Sequence, residues 1–327
     1  MTRVLIETVV RNTLKQIKID PERSMRNVVD MALHLSGGSF RKELFQVAQT
    51  MLEQESSAYY KLIPDIVAHV ESERIVQFGM NVGFNSFTVG AEQIRAIEWE
   101  ENFNIPWCIS LKLSDSVPDE RYDAVINQGE ELGIYSWLLF GTGDLSKLLT
   151  LPSKHPDSAF FLFCSPNDIS EDWIKEAAQL NNLMFVVKFE GKAAITCSLL
   201  REMGLLYSLY MSYSESDVHK ILNDDLLIET QELHPLMTVF MADSSCPIPA
   251  RDKVYNYILQ TRSKQHFLTI PWELEYDNRW VDGIISHEGC VAAFDEHGQL
   301  EGSPRLNLFE QGLRSILRRA FPKGGRR

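Results

Sequence analysis

Ile105-Pro-Trp-Cys-Ile-Ser-Leu-Lys-Leu113 reads as the first strand of an α/β barrel. Ser114-Asp-Ser-Val-Pro-Asp119 follows it, and a helix then begins, with Asp119 placed to cap it. Onward from this strand, short apolar runs alternate with amphipathic segments. Strands are expected at 107–113, 134–140, 159–164, 183–189, 205–211, 236–241 and 266–270. Helices are expected at 119–132, 144–149, 171–180, 192–203, 216–222 and 250–264. Gly133 suits the position just past a helix end, and Ser170 the position just before a helix start. Alternation of this kind predicts a parallel sheet or barrel with right-handed crossovers. Units of about 30 residues fit a partial (β/α)6 TIM-like barrel better than a full eight-stranded one.

Upstream, the period is helical. Val4, Leu5, Val9, Leu14 and Ile17 form one apolar set, stopped at Asp20-Pro21. Further sets lie at 28–35, 44–52 and 59–70, and 81–90, rich in Gly and Asn, reads as an irregular connection. The expected organisation is a helical segment 1–103, a partial barrel 104–282 and an extension 283–327 packed on the barrel.

Composition narrows the function. The 327 residues are 44% hydrophobic, enough for a sizeable core, and carry a net charge of −13, which disfavours bulk binding to nucleic acid or anionic lipid. Arg314, Arg318, Arg319, Lys323, Arg326 and Arg327 run against that balance, as a solvated face or as a contact for an acidic partner. No apolar run approaches the ~20 residues of a membrane span. The stretch Met1–Glu7 has no signal-peptide core, so a cytoplasmic protein is expected. The five cysteines, Cys108, Cys164, Cys197, Cys246 and Cys290, are too scattered for a disulfide framework or a metal clip.

Several stretches resemble the radical S-adenosylmethionine (radical SAM) proteins with an N-terminal helical cap. Asn104-Ile-Pro-Trp-Cys-Ile-Ser-Leu111 is similar to that family's entry into the first barrel strand. Gln128-Gly-Glu-Glu-Leu-Gly-Ile-Tyr135 is similar to its first helix and second strand. Lys154–Phe160 with Asp168–Asp172, Phe189-Glu190-Gly191, Glu288–Ala292 and Asp295–Gly298 follow in the family's order. The resemblance implies a SAM-binding barrel with a 4Fe–4S cluster held by a CxxxCxxC motif just after the first strand.

The departures carry the functional reading. The cysteine motif is absent: residues 114–118 offer Ser114, Asp115 and Ser116, and Cys108 lies inside the strand. The family's Gly-Gly-Glu-Pro, which the resemblance implies would hold the methionine amino group of SAM, stands here as Gly141-Thr142-Gly143-Asp144. Asp144 is open to two readings, a ligand group or a cap for helix 144–149. Glu190 at a strand end is a second candidate for a SAM-like pocket. The family's Arg-rich run after the fourth strand is missing, and its late cysteine is Ser303. A non-catalytic radical SAM-like protein is therefore expected, acting as a partner, scaffold or ligand-binding subunit in a bacterial biosynthetic pathway. Its expected partner is a protein such as an active homologue, or a small molecule. No resident cofactor and no 4Fe–4S cluster are expected, with SAM possible. The alternative is an enzyme that kept a SAM or small-ligand pocket for non-radical chemistry such as methyl transfer.

Other groups get plainer readings. His287, Glu288, Cys290, Asp295 and His297 are metal-ligand types, but a hairpin would part the histidines, and no metal is expected. Trp272, Glu273, Glu275, Tyr276 and Asp277 follow the last expected strand, as loop packing or as part of a mouth for a cationic ligand. Tyr207, Tyr210, Met211 and Tyr213 are barrel filling or a partner-facing surface.

Overall fold

The structure is a computed structural model that describes residues 3–17, 19–27, 54, 56–141, 145–286 and 288–324. Among them ten strands occur: β1 Cys108–Lys112, β2 Ser136–Phe140, β3 Ala159–Cys164, β4 Leu183–Lys188, β5 Tyr207–Tyr213, β6 Met237–Ala242, β7 Ile270–Glu273, β8 Ala292–Phe294, β9 Gln299–Leu300 and β10 Ser303–Asn307. The chain packs as two units, one of Met1–Val76 with Phe185–Asp277 and the other of Gln77–Met184 with Asn278–Arg327.

In the unit built around β1, that strand lies between β2 and β8, parallel to both, and β2 continues in parallel to β3. β8 turns through β9 to β10 in antiparallel steps. Every residue of β2 but the last is buried, as a parallel strand covered on both faces requires. The helix Asp119–Leu132 links β1 to β2; Pro118 precedes it in extended conformation, and Asp119 is already its first residue, not its cap. Gly133, at φ +92°, ends that helix, and an added Cβ there would come within 2.6 Å of the Gly90 carbonyl. Gly129 lets the same helix press on Trp137, whose ring an added Cβ would meet at 2.3 Å. Fully buried Trp137, Leu139, Phe160 and Leu162 fill the core beside it, each such side chain contributing about 1.5–3 kcal/mol by leaving water. The expected irregular connection at 81–90 is a π-helix, Asn81–Gly90. Its buried Asn81 and Asn85 donate to the carbonyls of Pro156, Ser158 and Asp157.

In the other unit β4, β5, β6 and β7 pair in parallel. The helices Ala193–Glu202 and Ile248–Lys264 follow β4 and β6. Leu227, Phe240, Val254 and Ile258 have no exposed surface and anchor its core. The last strand lies further along than 266–270: β7 is Ile270–Glu273, so Trp272 and Glu273 are strand residues. The described residues upstream are helical as expected, at Arg3–Ile17, 21–27 and Tyr59–His69. The apolar sets 28–35 and 44–52 lie outside the described residues.

Candidate functional site

The loop leaving β1 is the place to ask what chemistry the fold retains. Leu113 continues the strand, its N–H donating to the Phe140 carbonyl at 2.8 Å. Ser114 N–H donates to the Tyr122 hydroxyl at 2.9 Å, and the hydroxyls of Ser114 and Ser116 meet at 2.8 Å. Beneath them lies the Lys147 ammonium, which donates to the carbonyl of Ser114 at 2.7 Å and to that of Val117. It lies 3.6 Å from the Asp119 carboxylate and 5.8 Å from the Tyr122 ring centre. Burial raises the Tyr122 phenol above its ordinary range, so the ammonium faces a neutral ring. A cation thus ties both ends of the turn, at a side chain only 12% exposed.

This donor set does not fit an iron–sulfur cluster. Cluster iron takes thiolates, and the turn offers hydroxyls, one exposed carboxylate and carbonyls already bound to an ammonium. All five cysteines are buried, and none is in a disulfide. Burial pushes the Cys197 thiol up to about 12 and those of Cys108 and Cys290 well above their usual range. Among the described residues no three His, Cys, Asp or Glu side chains converge to hold a metal ion. Asp295 uses a carboxylate oxygen on the N–H groups of His297 and Gln299, which shapes the β8–β9 hairpin. His287 lies outside the described residues.

Gly141 follows β2, but its missing Cβ serves packing: a side-chain carbon there would meet Leu148 Cδ1 at 2.6 Å and Leu145 Cδ2 at 3.0 Å. Thr142, Gly143 and Asp144 lie outside the described residues. The helix beyond them is Lys147–Lys154, preceded by Ser146. Glu190 belongs to the other unit, where its carboxylate pairs with Lys188 Nζ at 2.7 Å beside Gly191, at φ +47°. Ser214 and Asp217 form a capping box, and the Ser214 hydrogen bonds pull the Asp217 carboxyl down.

The unit of β4–β7 holds a buried polar network that the sequence pattern did not separate from loop packing. Glu273, fully buried, accepts from the Tyr213 hydroxyl at 3.2 Å and from Tyr276 N–H at 2.7 Å. Asp277, also fully buried, accepts from Arg262 Nη2 at 2.6 Å and from Glu273 N–H at 2.7 Å. Burial raises both carboxyls, and the guanidinium of Arg262 pulls Asp277 the other way. Arg262 also lies over Trp272, 5.5 Å from its ring centre. These residues are structural anchors at the ends of β5 and β7. Tyr207, Tyr210, Met211 and Tyr213 are buried, as their reading as filling side chains requires. Part of the basic segment is engaged within the chain: Arg314 and Arg318 pair with Glu101, and Lys323 with Glu98 at 3.0 Å, while Arg326 and Arg327 lie outside the described residues.

Comparison with solved structures finds Streptococcus suis SuiB bound to S-adenosylmethionine, with a TM-score of 0.51 at 10% identity. The match covers 68% of this chain and 66% of SuiB, just under two thirds of that protein's length. Another structure of Streptococcus suis SuiB matches with a TM-score of 0.50 at 10% identity, covering 91% of this chain and 76% of SuiB. No protein-family model matches the sequence, and no curated protein sequence does. The parallel α/β architecture is therefore one shared with SuiB, and it agrees with the fold class expected from the sequence. Identity this low establishes the fold alone. No described helix is long and apolar enough to cross a membrane.

Proposed function

We propose that this chain is a radical SAM-fold protein without an iron–sulfur cluster, working as a scaffold or binding partner for an active enzyme in a bacterial biosynthetic pathway. What supports the reading is the turn after β1, where the Lys147 ammonium binds the Ser114 and Val117 carbonyls and no thiol is offered. The cofactor, not the protein, carries radical chemistry, so the barrel without a cluster has no electron to give to SAM. Such a barrel keeps a shape that can bind. Anaerobic reconstitution with iron and sulfide tests the reading. The protein should stay colourless and take up no stoichiometric cluster; a stoichiometric 4Fe–4S cluster would sink the proposal. Co-purification from the native host should recover a protein partner.

A second reading is an enzyme that keeps a SAM site for polar chemistry, in which SAM would supply an electrophilic methyl group. It is favoured by one finding, the SAM-bound state of the similarly folded SuiB. Asp144, three residues after Gly141 in the sequence, is the first group it would use. Calorimetry with SAM separates the two readings. Binding that weakens by about 1–3 kcal/mol in Asp144→Ala, the cost of a lost charged hydrogen bond, supports the enzyme; no binding supports the scaffold.

A further inference from the structure

The segment entering β1 is held in an unusual way. Between Asn104 and Cys108 it has two amide N–H groups to offer, those of Ile105 and Trp107, because Pro106 has none. Both go to buried carboxylates. Ile105 N–H donates to Glu98 Oε1 at 2.8 Å, and Trp107 N–H donates to Asp282 Oδ1 at 2.8 Å. Glu98 is 2% exposed and Asp282 is fully buried.

The residues 321–323 close over the same segment. Asn104 N–H donates to the Phe321 carbonyl at 2.7 Å and Lys323 N–H to the Asn102 carbonyl at 3.2 Å, with a bridge between Phe103 and Pro322. Lys323 Nζ completes the contact on Glu98 Oε2 at 3.0 Å. Asp282, by contrast, is held by neutral donors: its Oδ2 accepts from Cys290 N–H at 2.7 Å and from the Ser286 hydroxyl at 3.4 Å.

We propose that residues 102–107 and 321–323 form a proton-linked clasp, in which two buried carboxylates grip one short segment and the ammonium of Lys323 answers only one of them. The charged and titratable groups facing it come from every side. Glu98 comes from the helix Ala91–Glu101 and Cys108 from β1. Arg279 comes from the helix Leu274–Ser286, and Glu288, bound by Asn104 Nδ2 at 3.0 Å, and Cys290 from the run before β8. Arg318, over the Phe103 ring, comes from the helix Leu313–Ala320.

Burial, chiefly, and the nearby Glu98 charge push Asp282 up to about 7, and burial raises Glu98 in the same direction. An opened clasp returns both carboxyls to water and to their ordinary, lower range. The closed form therefore holds a proton that the open form releases. Closure is fully favoured below the ordinary carboxyl range, weakens as pH rises toward 7, and changes little above it.

Hydrogen exchange on the whole chain, expressed as protection relative to the unstructured rate, tests this between pH 5 and pH 7. Protection of the Asn104 and Lys323 amides should fall at least about tenfold across that interval, from the linkage of one proton, while Leu138 and Leu139 of β2 hold theirs. Asp282→Asn and Glu98→Gln should each flatten the dependence, so the second variant serves if the first does not fold. Clasp protection that ignores pH, that falls in step with β2, or that keeps the wild-type slope in the variants overturns the proposal.

Discussion

The two units carry buried acids under different terms. In the unit of β4–β7, Asp277 has a guanidinium of its own, Arg262, with both groups nearly or fully out of water. In the unit of β1, Asp282 has backbone amides and a hydroxyl, and the Lys323 ammonium meets Glu98 instead. The half-buried ammonium of Lys147, in the same unit, serves backbone carbonyls at the β1 turn. A guanidinium pulls a buried acid toward its ionised form at every pH, because arginine does not give up its proton, and at Asp277 it opposes the burial that raises the carboxyl. An acid served by neutral donors alone can satisfy its oxygens but not its charge, so it trades charge for a proton near neutrality.

The comparison breaks most readily at Arg262. Arg262→Met should destabilise the protein by about 3–5 kcal/mol at pH 7, because it strands Asp277 as a buried unpaired charge; urea unfolding measures it. A loss under about 1 kcal/mol would mean that the pair is not what holds β7. The next effect is pH itself. Asp282 rises in the folded state to about 7 from its ordinary 3.8, so its contribution is complete below about pH 4 and shrinks as pH rises through 7. Wild-type stability should drop by about 2 kcal/mol from pH 5 to pH 7, and the drop should shrink in Asp282→Asn. Lys147→Met should cost about 1–2 kcal/mol by leaving the Ser114 and Val117 carbonyls without their donor. If that variant gained the ability to take up iron and sulfide, the turn and not the thiols would be what bars a cluster. The smallest effect belongs to Glu190→Gln. Its pair with Lys188 is more than a third exposed on both sides, and the change should stay within about 0.5 kcal/mol. A larger loss would give Glu190 a role beyond that ion pair.

Much of the architecture was legible locally. The apolar runs of β1 to β6 stand out because strands buried on both faces have few polar residues to confuse the period. Gly133 and Ser170 announced helix ends through their own backbone chemistry, and the Ser170 hydroxyl does accept from Trp173 N–H. β7 was displaced in the reading because Pro271 and Glu273 argue against a strand. It forms because it pairs with β6 alone within its unit, where a missing N–H is tolerated, and because Tyr213 and Tyr276 satisfy Glu273. The π-helix was unreadable for a similar reason. Asn81 and Asn85 look like loop residues until the carbonyls of 156–158 arrive to accept from them.

By itself the sequence determined the parallel α/β order and the absence of thiols after β1, because hydrophobic period and side-chain chemistry are properties of single segments. Only the tertiary structure decided what stands at that turn and where the buried charges are matched. Lys147 reaches Ser114 from 33 residues away, Arg262 reaches Asp277 from 15 and Lys323 reaches Glu98 from 225. The energy of a buried charge depends on which partner and how much water the fold brings to it, and no local pattern records that.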